Sequence, residues 1–433
     1  MAVRSITALF ALLTVAASAR AQPAPGSAGR PANGFACADA GATSPAVARL
    51  RAAIEAADAA TVDPLVRCLA EIETPVIEPA PRPGRHLVTF PFVGDSATAA
   101  VRLDSNVVAV LIDGIEENFE SLGAMDRIPE TDLWVVAMEL PDSLRAPYRF
   151  DVAPPEGEAR LVVDPRNPRV YEDRWTENFR KSELVLPGAP AQPWRARPGR
   201  AAKWEVHEVA GRELAVYAPP AAIEAGTPRP VVLALGTMTF YNVLPTGRLI
   251  DHLVEEAAIE PPIVITVDLP EGADARRYAG EAAFLADTLL PWARSRWPIS
   301  TAPEDVVATG TSRRGLAATI AAFERPDAIG MALPLSGSFY WRPEGDEEFE
   351  WLTRRFAREP KRDIELYVTA GTLETVVTPT NRGHYQLATA RHLRDVLEAK
   401  GYDYVYEEFV GVHDEMNWQS ALADGLRALL PRR

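Results

Sequence analysis

Hydrophobic and polar positions follow two different patterns along the chain, and the change falls close to residue 200. Between residues 86 and 195, short apolar runs separated by turns recur, among them HLVTFPFV, LWVVAMEL and YRFDV. Runs of this kind predict a small antiparallel β-sandwich. In the second part, 200–433, apolar runs alternate with helix-like segments, which predicts a mostly parallel sheet covered by helices on both faces. The pattern therefore predicts the α/β class, with a sandwich domain in front.

Six apolar runs in the second part each precede a longer helix-like segment. They read PVVLALG, PIVITVDL, DVVATG, MALPLSG, IELYVTAG and YVYEEFVG. In sheets of this kind, functional groups gather at the carboxyl ends of the strands. The residues that directly follow these runs are therefore the candidates for chemistry.

The first 21 residues, MAVRSITALFALLTVAASARA, differ from everything that follows. One early cation precedes an apolar core, and small residues stand at the spacing of a cleavage site, which is the pattern of a secretory signal peptide. The apolar core is short for a transmembrane anchor, although an uncleaved anchor is the alternative. We therefore expect a periplasmic or secreted protein that is not inserted in a membrane.

Residues 22–85 are Pro-rich at both ends and Ala-rich in the middle. The Ala-rich stretch has helical apolar spacing interrupted at Asp63-Pro64, which predicts a helical hairpin between two linkers. The chain has only two cysteines, Cys37 and Cys68, and an exported protein favours their pairing. We expect a disulfide that closes this hairpin, the alternative being two buried free thiols.

The charge and the chemistry-bearing residues exclude some functions. A net charge of -15 argues against a nucleic-acid partner, because phosphate contacts need a basic face. The sequence has no cluster of cysteine and histidine with the spacing of a metal site. We expect no metal or organic cofactor, and an acidic protein of this kind is expected to be a monomer.

Three residues of chemical interest follow three of the apolar runs. Ser312 follows DVVATG, Glu374 follows IELYVTAG, and His413 follows YVYEEFVG. A serine hydroxyl needs a base, imidazole titrates near neutrality, and a carboxylate fixes the imidazole tautomer. Each residue also has an ordinary interpretation, as a helix cap, a solvated acid or a loop histidine. Their order and their shared position after strands favour a serine hydrolase, with these three as catalytic residues.

The surroundings of Ser312 fit a nucleophile elbow only in part. Such a turn needs small residues two before and two after the serine, and Gly310 meets the first requirement while Arg314 stands at the second. The backbone N–H groups of Arg313 and Thr237 are predicted to bind an oxyanion, the latter in the loop GTMTFYN. Ser336 and Ser338 are interpreted as residues at the edge of the cleft.

The chain resembles the enterochelin (enterobactin) esterase family. The segments that carry the resemblance are MDRIPETDLWVVAMELPDSLRAPYRF, GTSRRGLAATIAAFERPDAIGMALPLSGSFYW and GVHDEMNWQSALADGLRALL. The resemblance implies an Ig-like front domain, an α/β-hydrolase domain and hydrolysis of the esters of a catecholate trilactone siderophore. Ser312 matches the nucleophile of the family, His413 its base and Glu374 its acidic residue. Iron would arrive with the substrate.

The chain departs from the family at Arg314, where glycine is usual. Arg314 and Arg382, together with Arg313, are predicted to pair with a negatively charged ferric catecholate, the alternative being solvated helix-face arginines. Four aromatic residues are candidates for stacking on catechol rings, although packing in the core or the cleft wall is their alternative role. They are Phe240, Tyr241, Tyr340 and Trp341.

Two other functions remain open from the sequence. A carbohydrate esterase that releases feruloyl or acetyl groups could use the same scaffold on another substrate. A siderophore-binding protein without activity would result if Arg314 disrupted the elbow.

Overall fold

The structure of the 433-residue chain is a computed structural model. It describes residue 56 and the ranges 66–108, 123–171, 180–195, 203–224, 226–269, 275–376 and 381–431. The predicted signal peptide and Cys37 lie outside the described residues. Cys68 is disulfide-bonded. Among the described residues, no helix is long and apolar enough to cross a membrane.

The front part of the chain forms two antiparallel sheets, ordered β1-β2-β5-β4 and β3-β6-β9-β8, with β7 paired to β6. Their strands are β1 (Val76–Pro79), β2 (Arg85–Val93), β3 (Ala100–Asp104), β4 (Asp126–Arg127), β5 (Leu133–Pro141), β6 (Arg145–Ala153), β7 (Arg160–Val162), β8 (Val170–Tyr171) and β9 (Lys181–Val185).

The sequence folds into this sandwich because apolar residues recur at every second position of its strands. In β6, Ala146, Tyr148, Phe150 and Val152 are all buried, while Arg149 and Asp151 are partly exposed. Successive side chains of a strand point to opposite faces, so these four side chains share the core between the sheets. The predicted antiparallel sandwich is present.

The sandwich begins earlier in the chain than the sequence pattern predicts. Strand β1 pairs with β2 from Val76 to Pro79, inside a segment that we predicted to be a Pro-rich linker. Proline is accepted there because β1 is an edge strand, where the missing N–H costs no ladder hydrogen bond. The linker prediction is therefore wrong for residues 76–79.

The second part contains an eight-stranded sheet with the order β10-β11-β13-β12-β14-β15-β16-β17. Strands β12 to β17 are mutually parallel, and β10 and β11 add an antiparallel hairpin at one edge. The strands are β10 (Trp204–Val209), β11 (Arg212–Tyr217), β12 (Val231–Leu235), β13 (Ile263–Val267), β14 (Val306–Thr311), β15 (Met331–Leu335), β16 (Glu365–Gly371) and β17 (Asp403–Phe409). All six predicted strands are present, and the predicted fold class is confirmed.

Helices cover both faces of this sheet. Alternate residues of β12 enter two different cores: Val231, Leu233 and Leu235 face one, while Val232 and Ala234 face the other. Such strands are apolar throughout because both of their faces are buried. The α-helices described in this second part are α1 (Pro220–Glu224), α2 (Thr246–Glu255), α3 (Ala275–Phe284), α4 (Leu290–Arg294), α5 (Ser312–Glu324), α6 (Trp351–Arg358), α7 (Gln386–Ala399) and α8 (Glu415–Leu429).

Candidate active site

Ser312 occupies a sharp turn between β14 and α5. Its φ of 52° lies in the left-handed region, which residues with a side chain adopt only rarely. Gly310 makes the turn possible, because a Cβ at this position would lie 2.5 Å from the backbone carbonyl group of Arg314. The bulky residue at 314 is compatible with the turn, since only its backbone carbonyl and its Cβ lie close to Gly310, while its Cδ lies over Gly236.

Four loops with polar residues lie at the carboxyl ends of neighbouring strands of the sheet. Ser312, Ser336, Glu374 and His413 follow β14, β15, β16 and β17, which are consecutive neighbours in the sheet. The first and last of these strands are three positions apart, roughly 14 Å at the usual strand spacing. The loops beyond the strand ends must therefore span this gap for the side chains to act together.

Glu374 and His413 form the central contact among these four loops. The His413 Nδ1 atom lies 3.4 Å from Glu374 Oε2, and the Glu374 side chain is only 1% exposed. Neither atom makes a hydrogen bond, although both are buried. Such contacts are often long before a substrate binds and shorten when the imidazole becomes charged. Glu374 is thus placed to hold the proton of His413 on Nδ1, which leaves Nε2 without a proton.

The second oxygen of Glu374 is fixed by a hydroxyl. Ser336 Oγ donates to Glu374 Oε1 at 2.6 Å and accepts from Trp418 Nε1 at 3.0 Å. Ser336 is fully buried and, like Ser312, has a positive φ, of 49°. Our prediction that Ser336 lies at the edge of the cleft is therefore wrong, because its hydroxyl points inward to orient the acid.

Trp418 contacts the imidazole directly as well. Its ring packs edge to face on His413, with centroids 4.9 Å apart and an interplanar angle of 88°. Sequence reasoning missed this residue, although it stands in the quoted GVHDEMNW segment. Trp418 is an apolar residue in α8, five positions after His413, but the sequence could not show which residue its ring would face.

Ser338 contacts the nucleophile candidate. Its Oγ lies 3.2 Å from Ser312 Oγ, and its backbone N–H donates to the Ser312 carbonyl at 3.0 Å. The segment from Ser336 to Ser338 therefore touches Ser312 at one end and Glu374 at the other.

The electrostatics favour a more basic imidazole. Burial lowers the pKa of His413, but the Glu374 carboxylate, and after it Glu415 and Asp414, raise the pKa by more, so that it lies above its ordinary value. A nearby opposite charge favours the charged form of a titrating group. His413 is therefore a stronger base than a solvent-exposed histidine.

One of the two predicted oxyanion donors is already used. The Thr237 N–H donates to Asp268 Oδ1 at 2.9 Å, so the prediction of a free donor at Thr237 is wrong for this arrangement. Arg313 lies in the first turn of α5, where backbone N–H groups have no acceptor inside the helix. Of the two predicted donors, the N–H of Arg313 is therefore the better candidate for binding an oxyanion.

Arg314 lies across the loop that contains Gly236. A Cβ at Gly236 would be 2.6 Å from Arg314 Cδ, and the φ of this glycine is +116°. Among the described residues, the side chains of Arg313, Arg314 and Arg382 have no hydrogen-bond or ion-pair partner. Arg313 and Arg382 are exposed.

The predicted aromatic residues do not share one surface. Phe240 is fully buried in the core, so its prediction as a stacking residue is wrong because no face of the ring is open. Trp341 packs edge to face with Tyr278 and Trp351. Tyr241 lines a cavity of about 240 Å³ between the two parts of the chain.

No metal site is evident in the part of the chain that the structure describes, where no three or more residues among His, Cys, Asp and Glu are grouped for one.

A mostly parallel sheet covered by helices, with a serine on a strand-to-helix turn and a carboxylate–imidazole pair after other strands of the same sheet, defines the class of α/β-hydrolases. Family comparison makes this more specific. Residues 210–429 match the family described as "Putative esterase", and residues 87–195 match "Enterochelin esterase, N-terminal". The chain belongs to this esterase family, in the enterochelin esterase branch, and is an ester hydrolase.

Curated relatives agree with this assignment. The chain is 25% identical over 340 residues to the iron(III) salmochelin esterase of Escherichia coli O6:H1, covering 71% of this chain and 80% of the relative. It is 25% identical over 413 residues to the iron(III) enterobactin esterase of Dickeya dadantii, covering 84% and 91%.

Solved structures show the same fold. The ferric enterobactin esterase of Salmonella typhimurium superposes with a TM-score of 0.65 at 21% identity, over 84% of this chain and 98% of that one. The enterobactin esterase of Shigella flexneri, solved in the presence of enterobactin, gives 0.64 at 20% identity, over 83% and 96%.

Proposed function

We propose that this protein hydrolyses the ester bonds of a catecholate siderophore of the enterobactin type, with Ser312 as nucleophile, His413 as general base and Glu374 as the residue that orients the base. The observation that carries the chemistry is the contact of 3.4 Å between His413 Nδ1 and the buried Glu374 carboxylate. A carboxylate on Nδ1 leaves Nε2 free to accept a proton, which is the role of the acid in such triads.

The reaction would proceed in two halves. His413 removes the proton of Ser312 Oγ as the oxygen attacks the ester carbonyl, and the resulting oxyanion accepts a hydrogen bond from the Arg313 N–H. His413 then returns the proton to the leaving alcohol, which yields an acyl-enzyme. Water attacks this ester with the same base, and Ser312 is restored.

The substrate class rests on the relatives and on charge. Both curated relatives described above carry names of siderophore esterases. Arg314 has no ion-pair partner among the described residues and lies across Gly236, close to the elbow. A guanidinium without a carboxylate partner is suited to an anionic ligand such as a ferric catecholate.

The location and the consequence of the reaction belong to the same proposal. The signal-peptide pattern of residues 1–21 supports action in the periplasm or outside the cell. Cleavage of the trilactone separates the three catechol arms and so weakens a hexadentate iron ligand. We propose that iron release is the purpose of the reaction and that the enzyme works as a monomer.

Product analysis tests this proposal. The purified protein is incubated with iron-loaded and iron-free trilactone, and the products are identified by mass spectrometry, with Ser312→Ala as control. We expect linear trimer, dimer and monomer from the active protein and intact trilactone from Ser312→Ala. Intact trilactone with the active protein would contradict the substrate, and cleavage of a feruloyl or acetyl polysaccharide in a parallel reaction would identify the alternative class.

A further inference from the structure

The histidine loop is built into the core of the front sandwich. Val412, directly before His413, is 1% exposed and packs in the apolar core of the sandwich, not in the cores of the hydrolase sheet. Val410 and Leu373 pack against the same core, and Leu373 directly precedes Glu374. Both loops that carry the imidazole–carboxylate pair therefore have an apolar anchor in the other domain.

Two polar side chains of the sandwich reach the same loop. Asn106 Nδ2, after β3, donates to the backbone carbonyl of His413 at 3.1 Å. Lys181 Nζ, at the start of β9, lies 3.0 Å from Asp414 Oδ2 and 3.9 Å from Glu415 Oε2. The sandwich therefore contacts the residue that would act as base and the two residues that follow it.

Asp414 connects these contacts to the start of α8. It is the N-cap of that helix, and its Oδ1 accepts a hydrogen bond of 3.0 Å from the Met416 N–H. One carboxylate oxygen thus begins the helix while the other binds Lys181. Since a cap residue fixes how the chain enters a helix, the position of Lys181 also constrains the residue before the cap, His413.

Charge adds a second link between Lys181 and His413. Three carboxylates, those of Glu374, Asp414 and Glu415, raise the pKa of His413 against the effect of burial. Burial lowers the pKa of Lys181, but Asp414 and Glu415 raise it by more, against a lowering effect of Arg149, so the ammonium group stays charged. Lys181 is thus a cation paired with two of the three carboxylates that raise the pKa of His413.

We infer that Lys181 and Asn106 are positioning residues for His413, and that the sandwich domain is part of the catalytic apparatus because it holds the base in place. This inference rests on the proposed function, since it takes His413 to be the base. Lys181 has two effects, one on the geometry of the loop and one on the protonation of the imidazole. The groups that set this protonation are Glu374, Asp414, Glu415, Lys181 and Arg149.

The variant Lys181→Met tests the inference in the full-length protein. The substrate is a small neutral ester, p-nitrophenyl acetate, so that siderophore binding does not enter the measurement. We expect kcat/KM to fall about tenfold, because a small displacement of a catalytic group is costly. We also expect the acidic limb of the pH profile to move up by roughly half a unit to one unit, because a cation that opposed imidazolium is removed.

Two further variants make the comparison specific. Lys181→Arg keeps the charge and should restore the position of the acidic limb. Arg127→Met removes a cation of an exposed ion pair with Asp132 in the same sandwich, and it should leave both kcat/KM and the profile unchanged. A Lys181→Met profile that coincides with that of the unaltered protein would overturn the role of Lys181 in protonation.

Asn106→Ala gives an independent result if Lys181→Met does not fold. Asn106 is exposed, so its replacement leaves the core intact. We expect kcat to fall about threefold with KM unchanged, because one hydrogen bond to the carbonyl of the base is lost. An unchanged kcat would overturn the role of Asn106. Full activity of His413→Ala would instead refute the proposed function, so the two failures are distinguishable.

Discussion

The indole N–H of Trp418 donates a hydrogen bond of 3.0 Å to the hydroxyl of Ser336, inside the protein and next to the imidazole of His413. This hydroxyl accepts from the indole N–H, which can only donate, and gives its own proton to Glu374 Oε1, 2.6 Å away. The carboxylate of Glu374 is therefore held by the hydroxyl of Ser336, which is itself held by the indole of Trp418. Two predictions test this arrangement.

The variant Ser336→Ala removes the donor to Glu374 Oε1. We expect kcat/KM to fall about tenfold, because a hydrogen bond to a charged group contributes about 1.5–3 kcal/mol. Steady-state kinetics together with thermal unfolding measure this. Ser300→Ala is the matched control, since Ser300 Oγ donates to Asp305 Oδ2 at 2.7 Å just before β14, at the opposite edge of the sheet. An equal loss of activity in both variants would show that only general stability was affected.

The variant Glu374→Gln keeps the size of the side chain and removes its charge. We expect a fall in kcat of about a hundredfold or more, because the imidazole loses the group that fixes its tautomer. The acidic limb of the pH profile should also move down, since Glu374 raises the pKa of His413. Glu350→Gln is a matched control, because Glu350 also pairs with histidines, His384 and His392. A Glu374→Gln variant that keeps full activity would remove Glu374 from the triad.

The pH dependence of the unaltered protein follows from His413. The base works only when neutral, and its pKa lies above its ordinary value of 6.5. Activity is therefore lost as the pH falls through this raised pKa, and the acidic limb of kcat/KM should have its midpoint above 6.5. Measurement with a neutral ester between roughly pH 5 and pH 9 gives the midpoint. A midpoint below 6.5 would contradict the electrostatic account.

The variant Gly310→Ala tests why the elbow tolerates Arg314. The added Cβ would lie 2.5 Å from the backbone C and O atoms of Arg314, so strand and helix would have to separate. We expect destabilisation by about 1–3 kcal/mol or more and loss of most activity. Gly280→Ala, in α3, is the control, because a Cβ there meets nothing within 4 Å. Stability equal to that of Gly280→Ala would refute the steric argument.

The variant Arg314→Met tests the proposed recognition of an anion. We expect KM for the ferric siderophore to rise about tenfold, since one cation–anion contact is lost. Turnover of a neutral ester should change little, because the Arg314 side chain lies over Gly236 and its backbone supports the turn in either variant. An unchanged KM, or an equal loss on both substrates, would contradict the role in anion binding.

Most of the fold could be predicted from the sequence because its strands show one of two clear hydrophobic patterns. The strands β12 to β15 are buried along their whole length and so are continuous apolar runs. The strands of the sandwich alternate, as β6 does. Strand β1 was missed because Pro79 and its neighbours have the composition of a linker, and only pairing with β2 makes them a strand.

The site was predictable where chemistry and strand order coincide. Ser312, Glu374 and His413 each follow a strand of the parallel sheet, so topology places all three at the same end of the sheet, and Glu374 and His413 are in contact there. The residues that orient them, Ser336 and Lys181, carry no motif. Their roles depend on a hydroxyl turned inward by a positive φ and on contact between two domains, and neither can be derived from local sequence. The use of Thr237 N–H by Asp268 is a long-range contact of the same kind.

The most direct test of the central claim is to identify the residue that forms a covalent adduct, either with a phosphonate or as an acyl-enzyme. The protein is treated with a fluorophosphonate or quenched during turnover of an activated ester, digested, and mapped by mass spectrometry. The adduct should lie on Ser312 alone, it should be absent in Ser312→Ala, and it should form far more slowly in His413→Ala. An adduct on another residue, or ester turnover by Ser312→Ala at the original rate, would contradict the account.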